Sequence, residues 1–317
     1  MRVAVFGAGG QTGFYLCKNL LDSGYSVIGI VRNNSQRLFS SNQNYIQIAV
    51  DLSEQIDFQS IFLGQEPDIL VNLTGLSSVL DCESKPELSY RLNYELVRDL
   101  LSFVDTLNQE NGNETFFFQA SSSEMYSANS TLKVVDESTP LTPLSTYGIH
   151  KSLAHQLVQR TRCEMGVKAS NLILFNHESP RRPAKYVSRK ITKTAYEISL
   201  GISDCLELGN VNTSRDWGHA EDYAQVIKRL VDSKPNGEFV IASGSLHSIN
   251  EFVQIAFDYF NLRPANKYVT ISRSLTRLNE HSGLMGNTSK VHGLIGELNL
   301  RSFEDTVIDM CQHEKFN

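Results

Sequence analysis

Near the start of the sequence stands Arg2-Val3-Ala4-Val5-Phe6-Gly7-Ala8-Gly9-Gly10-Gln11-Thr12-Gly13, and its reading decides the fold. Arg2 to Phe6 is a short apolar run, glycines follow at 7, 10 and 13, and Phe14, Leu16, Cys17, Leu20 and Leu21 then recur at helical spacing until Gly24. That order spells strand, tight turn, helix. Glycines so placed allow the sharp turn, the approach of a pyrophosphate to N–H groups at the helix start, and close helix-to-strand packing, with Gln11 and Thr12 in the same turn. Outward from it the alternation continues: strands are predicted over 25–31, 45–50, 69–73, 115–119 and 168–175, and helices over 55–63, 88–107 and 145–165. This is the pattern of a doubly wound α/β chain with a Rossmann-type parallel sheet. The alternation therefore predicts a dinucleotide-binding domain over 1–175; beyond Phe175 the texture changes to a polar, Arg-rich stretch, and a smaller, mainly substrate-binding domain is expected over 176–317, with about 213–247 expected to return to the first.

The 317 residues are 41% apolar and 20% charged, enough to fill a full-sized core. Net charge is −6, from 29 Lys+Arg against 35 Asp+Glu, and there is no long like-charge run of the kind that reads as a nucleic-acid arm, which argues against a nucleic-acid partner. Five cysteines, odd in number and never spaced CxxC, read as reduced thiols of a cytoplasmic protein, and His150, His155 and His219 lack metal-ligand spacing, so no metal is expected. No segment approaches the roughly 18 uninterrupted apolar residues of a membrane span.

Arg32, just past the second strand, stands where an NAD enzyme often carries an acid, and a cation there favours the 2′-phosphate of NADP; Asp51 and Leu52, past the third, stand where such folds meet adenine. Tyr147 and Lys151 lie four apart on a predicted helix, hence on one face. The ammonium can then favour the phenolate; moving a tyrosine from about 10 to about 7 takes roughly 4 kcal/mol. Tyr186 and Lys190 share that spacing, but only the first pair follows the fifth strand, whose end reads Ser121-Ser122-Ser123-Glu124.

With these residues the chain resembles the extended short-chain dehydrogenase/reductases, and within them the GDP-mannose 4,6-dehydratase family. That likeness is carried by Gln119-Ala120-Ser121-Ser122-Ser123-Glu124-Met125-Tyr126, Phe175-Asn176-His177-Glu178-Ser179-Pro180-Arg181-Arg182, Val187-Ser188-Arg189-Lys190-Ile191-Thr192, and Leu208-Gly209-Asn210 leading to Arg215-Asp216-Trp217-Gly218-His219-Ala220. The resemblance implies that Ser122, Glu124, Tyr147 and Lys151 are catalytic. It implies that Leu73, Tyr90, His177 and Arg182 join Gly7, Gly10, Gln11, Thr12, Gly13, Arg32, Asp51, Leu52, Tyr147 and Lys151 around NADP. Asn176, Val187, Lys190, Asn210, Arg215, Arg277 and Glu280 would face a GDP-sugar, whose diphosphate suits guanidinium groups.

Three departures from the family's pattern are visible. Ser122 replaces its usual threonine, Arg32-Asn33-Asn34 replaces two consecutive arginines, and Thr74-Gly75-Leu76-Ser77-Ser78 replaces a stretch with Gln and His. The expectation is a cytoplasmic, homo-oligomeric (dimeric or tetrameric) NADP-dependent lyase that dehydrates a GDP-hexose, most simply GDP-mannose, to the 4-keto-6-deoxy sugar. The alternatives are a reductase or epimerase of a GDP-4-keto sugar, in which no step requires Glu124, and a silent NADP-binding sensor.

Overall fold

The computed structural model describes residues 1–34, 37–112, 114–127, 133–272, 275, 283–297 and 299–316. Its centre is a seven-stranded sheet in which every neighbouring pair is parallel. With β1 (Arg2–Phe6), β2 (Ser26–Val31), β3 (Tyr45–Ala49), β4 (Ile69–Asn72) and β5 (Phe116–Ser122), the order across the sheet is Gly237–Ile241, Ala169–Leu174, β5, β4, β1, β2, β3. The chain runs outward from β1 to β3 and then returns to β4 on the opposite side of β1. A crevice opens at such a reversal, at the carboxyl ends of the strands.

Alternation along β1 explains why the strands read as apolar runs. Val3 and Val5 face one side, against Leu16 and Leu20 of the helix α1 (Gln11–Asp22) and Tyr223, Ile227 and Leu230 of the helix Ala220–Ser233. Ala4 and Phe6 face the other, against Leu96, Leu100 and Val104 of the helix Leu96–Asn111 and Ala154 and Val158 of the helix Thr146–Met165. A sheet covered on both faces needs apolar residues at every position. A third cluster, with Trp217, Phe252, Phe257, Phe303 and Met310, holds together the helices Val187–Ser199, Ile249–Tyr259 and Phe303–Glu314.

Two elements differ from their predicted form. The helix predicted over 88–107 is three pieces: Pro86–Tyr90, a π-helical turn Arg91–Glu95, and Leu96–Asn111. The wide turn lets the fully buried Asn93 donate to the Leu76 carbonyl at 3.1 Å and to Ser89 Oγ at 3.2 Å. The fifth strand runs three residues further than predicted, to Ser122, because the polar Ser121 is satisfied inside the protein by His155 Nδ1 at 3.0 Å and Asn171 Oδ1 at 3.2 Å. The edge strand Gly237–Ile241 and the helix Ala220–Ser233, both late in sequence, complete the first domain's sheet and its cover. Among the described residues no helix is long and apolar enough to cross a membrane, and no group of acidic, histidine or cysteine side chains could hold a metal ion. All five cysteines are free.

Candidate active site

At the reversal between β1 and β4 lies a cleft of about 520 Å³. One end is the glycine turn. Gly7 has φ +82°, and a Cβ there would meet the Leu73 carbonyl carbon and the Thr74 nitrogen at 3.2 Å. A Cβ on Gly13 would stand 2.1 Å from the Gly7 carbonyl oxygen, so α1 can sit this close to β1 only without a side chain. Gly10, the residue before α1, gives its helix no side-chain cap, which leaves the first amides of a 12-residue helix beside the cleft.

Behind the turn, His177 is fixed by two bonds. Its Nδ1–H donates to the Phe175 carbonyl at 2.8 Å, so Nε2 accepts the Thr12 hydroxyl at 2.8 Å. Burial pushes this imidazole down to about 4. The Gln11 amide donates to the His177 carbonyl at 2.8 Å and accepts Ser179 Oγ at 2.9 Å. Arg182 pairs with the buried Glu178 at 3.1 Å and lies 3.7 Å over the Tyr186 ring; burial raises the Glu178 carboxyl, against the pull of Arg182.

At the other end stand Ser122, Glu124, Tyr147 and Lys151. The strand β5 ends at Ser122, whose Oγ accepts the Glu124 N–H at 3.3 Å and starts the 3-10 turn Ser123–Tyr126. The helix Thr146–Met165 begins opposite, capped by Ser145 Oγ, which accepts from the Gly148 N–H at 3.0 Å. A Cβ at Gly148 would lie 2.6 Å from the Glu124 carbonyl oxygen. That glycine lets the first turn of the helix come this close, and Tyr147 faces Ser122 within the cleft. Lys151, one turn on, donates to the Ala120 carbonyl at 2.8 Å and lies 6.0 Å from the centre of the Tyr147 ring. Burial pushes the Tyr147 phenol well above its usual value, opposed by the Ser122 hydroxyl, and pushes the Lys151 ammonium down to about 8. Burial thus opposes both charges.

The cleft gathers most of the residues singled out from sequence: Gly7, Gly10, Gln11, Thr12, Gly13, Leu73, His177 and Arg182 with the Ser122, Glu124, Tyr147 and Lys151 group, and Asn176, Val187, Lys190, Asn210 and Arg215 on the wall of the second half. Lys190 Nζ donates to the Glu207 carbonyl at 2.6 Å and Arg215 to the Ser214 carbonyl at 2.8 Å. Four others do not line it. Arg32 and Asp51 are exposed at the ends of β2 and β3, where hydrogen bonds from Ser53 and, less, the charge of Arg32 hold the Asp51 carboxyl below its usual range. Leu52 is buried beside them, and Tyr90 packs instead against Tyr94, tilted, and against His150, edge-on. Arg277 and Glu280 lie outside the described residues.

Sequence reasoning missed Gly75, Gly148 and Asn93. A Cβ on Gly75 would stand 2.6 Å from Asn93 Oδ1 and 3.4 Å from Lys151 Nζ, so this glycine makes room for the ammonium, and Asn93 Oδ1 is a buried acceptor without a partner beside it. It also missed the buried Glu314, which pairs with Arg189 and accepts Thr192 Oγ1 at 2.8 Å, anchoring the start of the helix Val187–Ser199. The glycines carry a sequence signal only in their lack of a side chain; Glu314 has none, being far along the chain.

Residues 4–310 match the family described as GDP-mannose 4,6 dehydratase. The chain belongs to that family. It is 33% identical over 322 residues to GDP-mannose 4,6 dehydratase 1 of Arabidopsis thaliana, covering 98% of this chain and 88% of that one. To GDP-mannose 4,6 dehydratase of Homo sapiens it is 32% identical, covering 97% and 82%. Among solved structures, the dTDP-glucose 4,6-dehydratase of Bacillus anthracis in complex with NAD superposes with a TM-score of 0.85 at 18% identity, covering 100% of this chain and 97% of that one, a likeness of fold. The UDP-glucuronic acid 4-epimerase of Bacillus cereus does so at 0.86 and 19%, covering 100% and 99%.

Proposed function

We propose that this member of the family is a hydro-lyase that converts GDP-mannose to its 4-keto-6-deoxy derivative with NADP as resident cofactor. The observation that carries the reading is the meeting of Glu124 with Ser122, Tyr147 and Lys151 at one end of the cleft. A reductase or epimerase has work for the last three; only elimination across C5 and C6 needs the carboxylate as well.

The glycine turn fits a dinucleotide, since its glycines leave open the space that a Cβ would fill and α1 presents uncapped amides there. Gln11, Thr12, Leu73, His177 and Arg182 would hold it, with Arg32 toward the 2′-phosphate and Asp51, Leu52 and Tyr90 around the adenosine. When bound, the nicotinamide supplies the two-electron acceptor and donor for an internal transfer from C4 to C6 of the sugar. Tyr147 takes the proton of the C4 hydroxyl while Ser122 bonds that oxygen. Lys151 offsets the charge left on the phenol. Glu124 takes the C5 proton and gives it to the C6 hydroxyl, which leaves as water, and C5 takes up one proton as C6 is reduced, balancing the proton released from the C4 hydroxyl. Asn176, Val187, Lys190, Asn210, Arg215, Arg277 and Glu280 would face the GDP-sugar.

This reading divides the chain into a dinucleotide-binding domain, 1–175 with about 213–247, and a sugar-nucleotide domain from the rest of 176–317. It places the enzyme in the cytoplasm as a homo-oligomer. The test is incubation of the purified protein with GDP-mannose deuterated at C4: the product should be lighter by one water and carry the label at C6. Unchanged GDP-mannose, or label lost to the solution cofactor, refutes it.

A further inference from the structure

Two side-chain bridges join the walls of the cleft at its mouth. Ser77 and Tyr186 share a hydrogen bond between hydroxyls at 2.8 Å, and Asp81 pairs with Lys185. Ser77 and Asp81 belong to the segment after β4, Lys185 and Tyr186 to the approach to the helix Val187–Ser199, and Ser77, Lys185 and Tyr186 line the cleft. Asp81 sits in the short helix Val79–Ser84, and two residues on, Glu83 takes both groups of Thr146: the N–H with Oε1 and the hydroxyl with Oε2, each at 2.8 Å. Thr146 is the residue before Tyr147. One six-residue helix is therefore tied at one side to the mouth and at the other to the first turn of the helix that carries Tyr147.

We propose that Val79–Ser84 is a clasp: it closes the mouth through Asp81–Lys185 and Ser77–Tyr186, opens to exchange the sugar nucleotide, and couples closure to the placing of Tyr147 through Glu83–Thr146. Both mouth bridges are of a weak kind, an exposed ion pair and a hydroxyl pair, as a contact broken in each turnover must be. The purpose follows from the dehydratase reading, on which this inference rests: a sugar that gives up and regains hydrogen within one site must be kept there between the two transfers. Asp81, Glu83, Lys185 and Tyr186 are here positioning residues.

Cys82 reports on the clasp. It lies within the helix with no exposed surface, its thiol donating to the Leu76 carbonyl at 3.1 Å, so an alkylating reagent reaches it only when the helix lifts. Cys17 and Cys311, equally buried elsewhere, report on general loosening, and Cys163 and Cys205 are exposed and should react at once. In the full chain without ligand, iodoacetamide labelling followed by peptide mapping should show Cys82 reacting roughly tenfold faster in Lys185→Met/Tyr186→Phe than in the parent, with Cys17 and Cys311 unchanged. Exchanging the charges, Asp81→Lys with Lys185→Asp, should return Cys82 toward the parent rate when compared with either single change. GDP-mannose should slow the labelling of Cys82 in the parent. A rise of less than twofold in the double variant, a rise shared by Cys17 and Cys311, or no protection by GDP-mannose in a protein that dehydrates it overturns the clasp. Absence of any dehydrated product refutes the dehydratase reading instead, and the labelling of the bare protein still decides the clasp.

Discussion

Replacing Lys151 by methionine should make the protein more stable and inactive, and the size of the gain can be worked from the geometry. Lys151 is 4% exposed, and burial brings its ammonium from 10.5 to about 8. At 1.36 kcal/mol per pH unit, that fall means the protein carries on the order of 3 kcal/mol of unfavourable free energy for a protonated Lys151 at pH 7. Methionine fills a similar volume without a charge. Nor does its introduction orphan the Ala120 carbonyl, which still accepts the Gln119 amide at 2.8 Å. The expected gain at pH 7 is therefore about 1 to 3 kcal/mol.

The sign of the pH dependence separates this cause from better packing. Below pH 8 Lys151 is protonated both folded and unfolded, so the parent bears the full cost. Between about 8 and 10.5 the folded chain has released the proton and the unfolded chain still holds it, so the parent's stability rises with pH. Above 10.5 both states are neutral and the advantage of the variant closes. Urea midpoints of parent and Lys151→Met, measured from pH 6.5 to the highest pH at which both remain native, read this directly. A lower midpoint for the variant at pH 7, or a gain that stays constant as the pH rises past 8, refutes the reasoning.

Gly148→Ala places a methyl 2.6 Å from the Glu124 carbonyl oxygen and 3.2 Å from Pro143 Cβ; it should cost about 1 to 3 kcal/mol in unfolding free energy and, by parting Tyr147 from Ser122, on the order of 10²-fold in turnover. A parent-like rate would show that the first turn can shift without consequence. Glu124→Gln should still oxidise C4 yet stall before water is lost, seen as reduced-dinucleotide absorbance on adding GDP-mannose without 4-keto-6-deoxy product; product at the parent rate would return the reductase reading. Arg32→Ala should lose roughly 1.5 to 3 kcal/mol of affinity for NADP and little for NAD in parallel titrations. Equal losses for the two would mean that this exposed cation does not read the 2′-phosphate.

Six of the seven strands of the central sheet were legible, the clearest because burial on both faces leaves a plain mark, runs such as Val3 to Phe6 and Ile69 to Val71 bounded by glycine and polar residues, whereas the edge strand Gly237–Ile241 was not read as a strand. Where a buried position is polar the mark fails: Ser121 and Ser122 belong to the strand through bonds to residues 34 positions and more away or through the turn they start. The helix predicted over 88–107 is a case of pattern overruled by tertiary structure, since the apolar period continues through a π turn that exists to seat Asn93. In the site, the glycine turn and the Tyr147 and Lys151 pair could be read from local spacing. Tyr186 and Lys190 have the same spacing, but Tyr186 binds Ser77 and Lys190 the Glu207 carbonyl. What separated the pairs was position after a strand, not the interval between them. Gly75, Gly148 and Glu314 were illegible for one reason: each matters through a neighbour brought to it by the fold.

Tyr147 and Lys151 pose a problem that the fold answers only in part. Burial raises the phenol and lowers the ammonium, so in the protein alone both groups are driven toward their neutral forms, the opposite of what proton removal from a C4 hydroxyl requires. A phenolate and an ammonium one helical turn apart favour each other, and the Ala120 carbonyl adds support for the ammonium as Ser122 does for the phenolate. With its ammonium near 8, Lys151 still holds its proton at pH 7, so the phenol has a neighbouring cation already in place, and that cation's hold on the proton is weaker than a free lysine's. The site is thus poised so that closing on a ligand, which removes the water that would otherwise solvate the sugar hydroxyl, changes the balance of two displaced groups at once. Stability surrendered at Lys151 is what makes that response available.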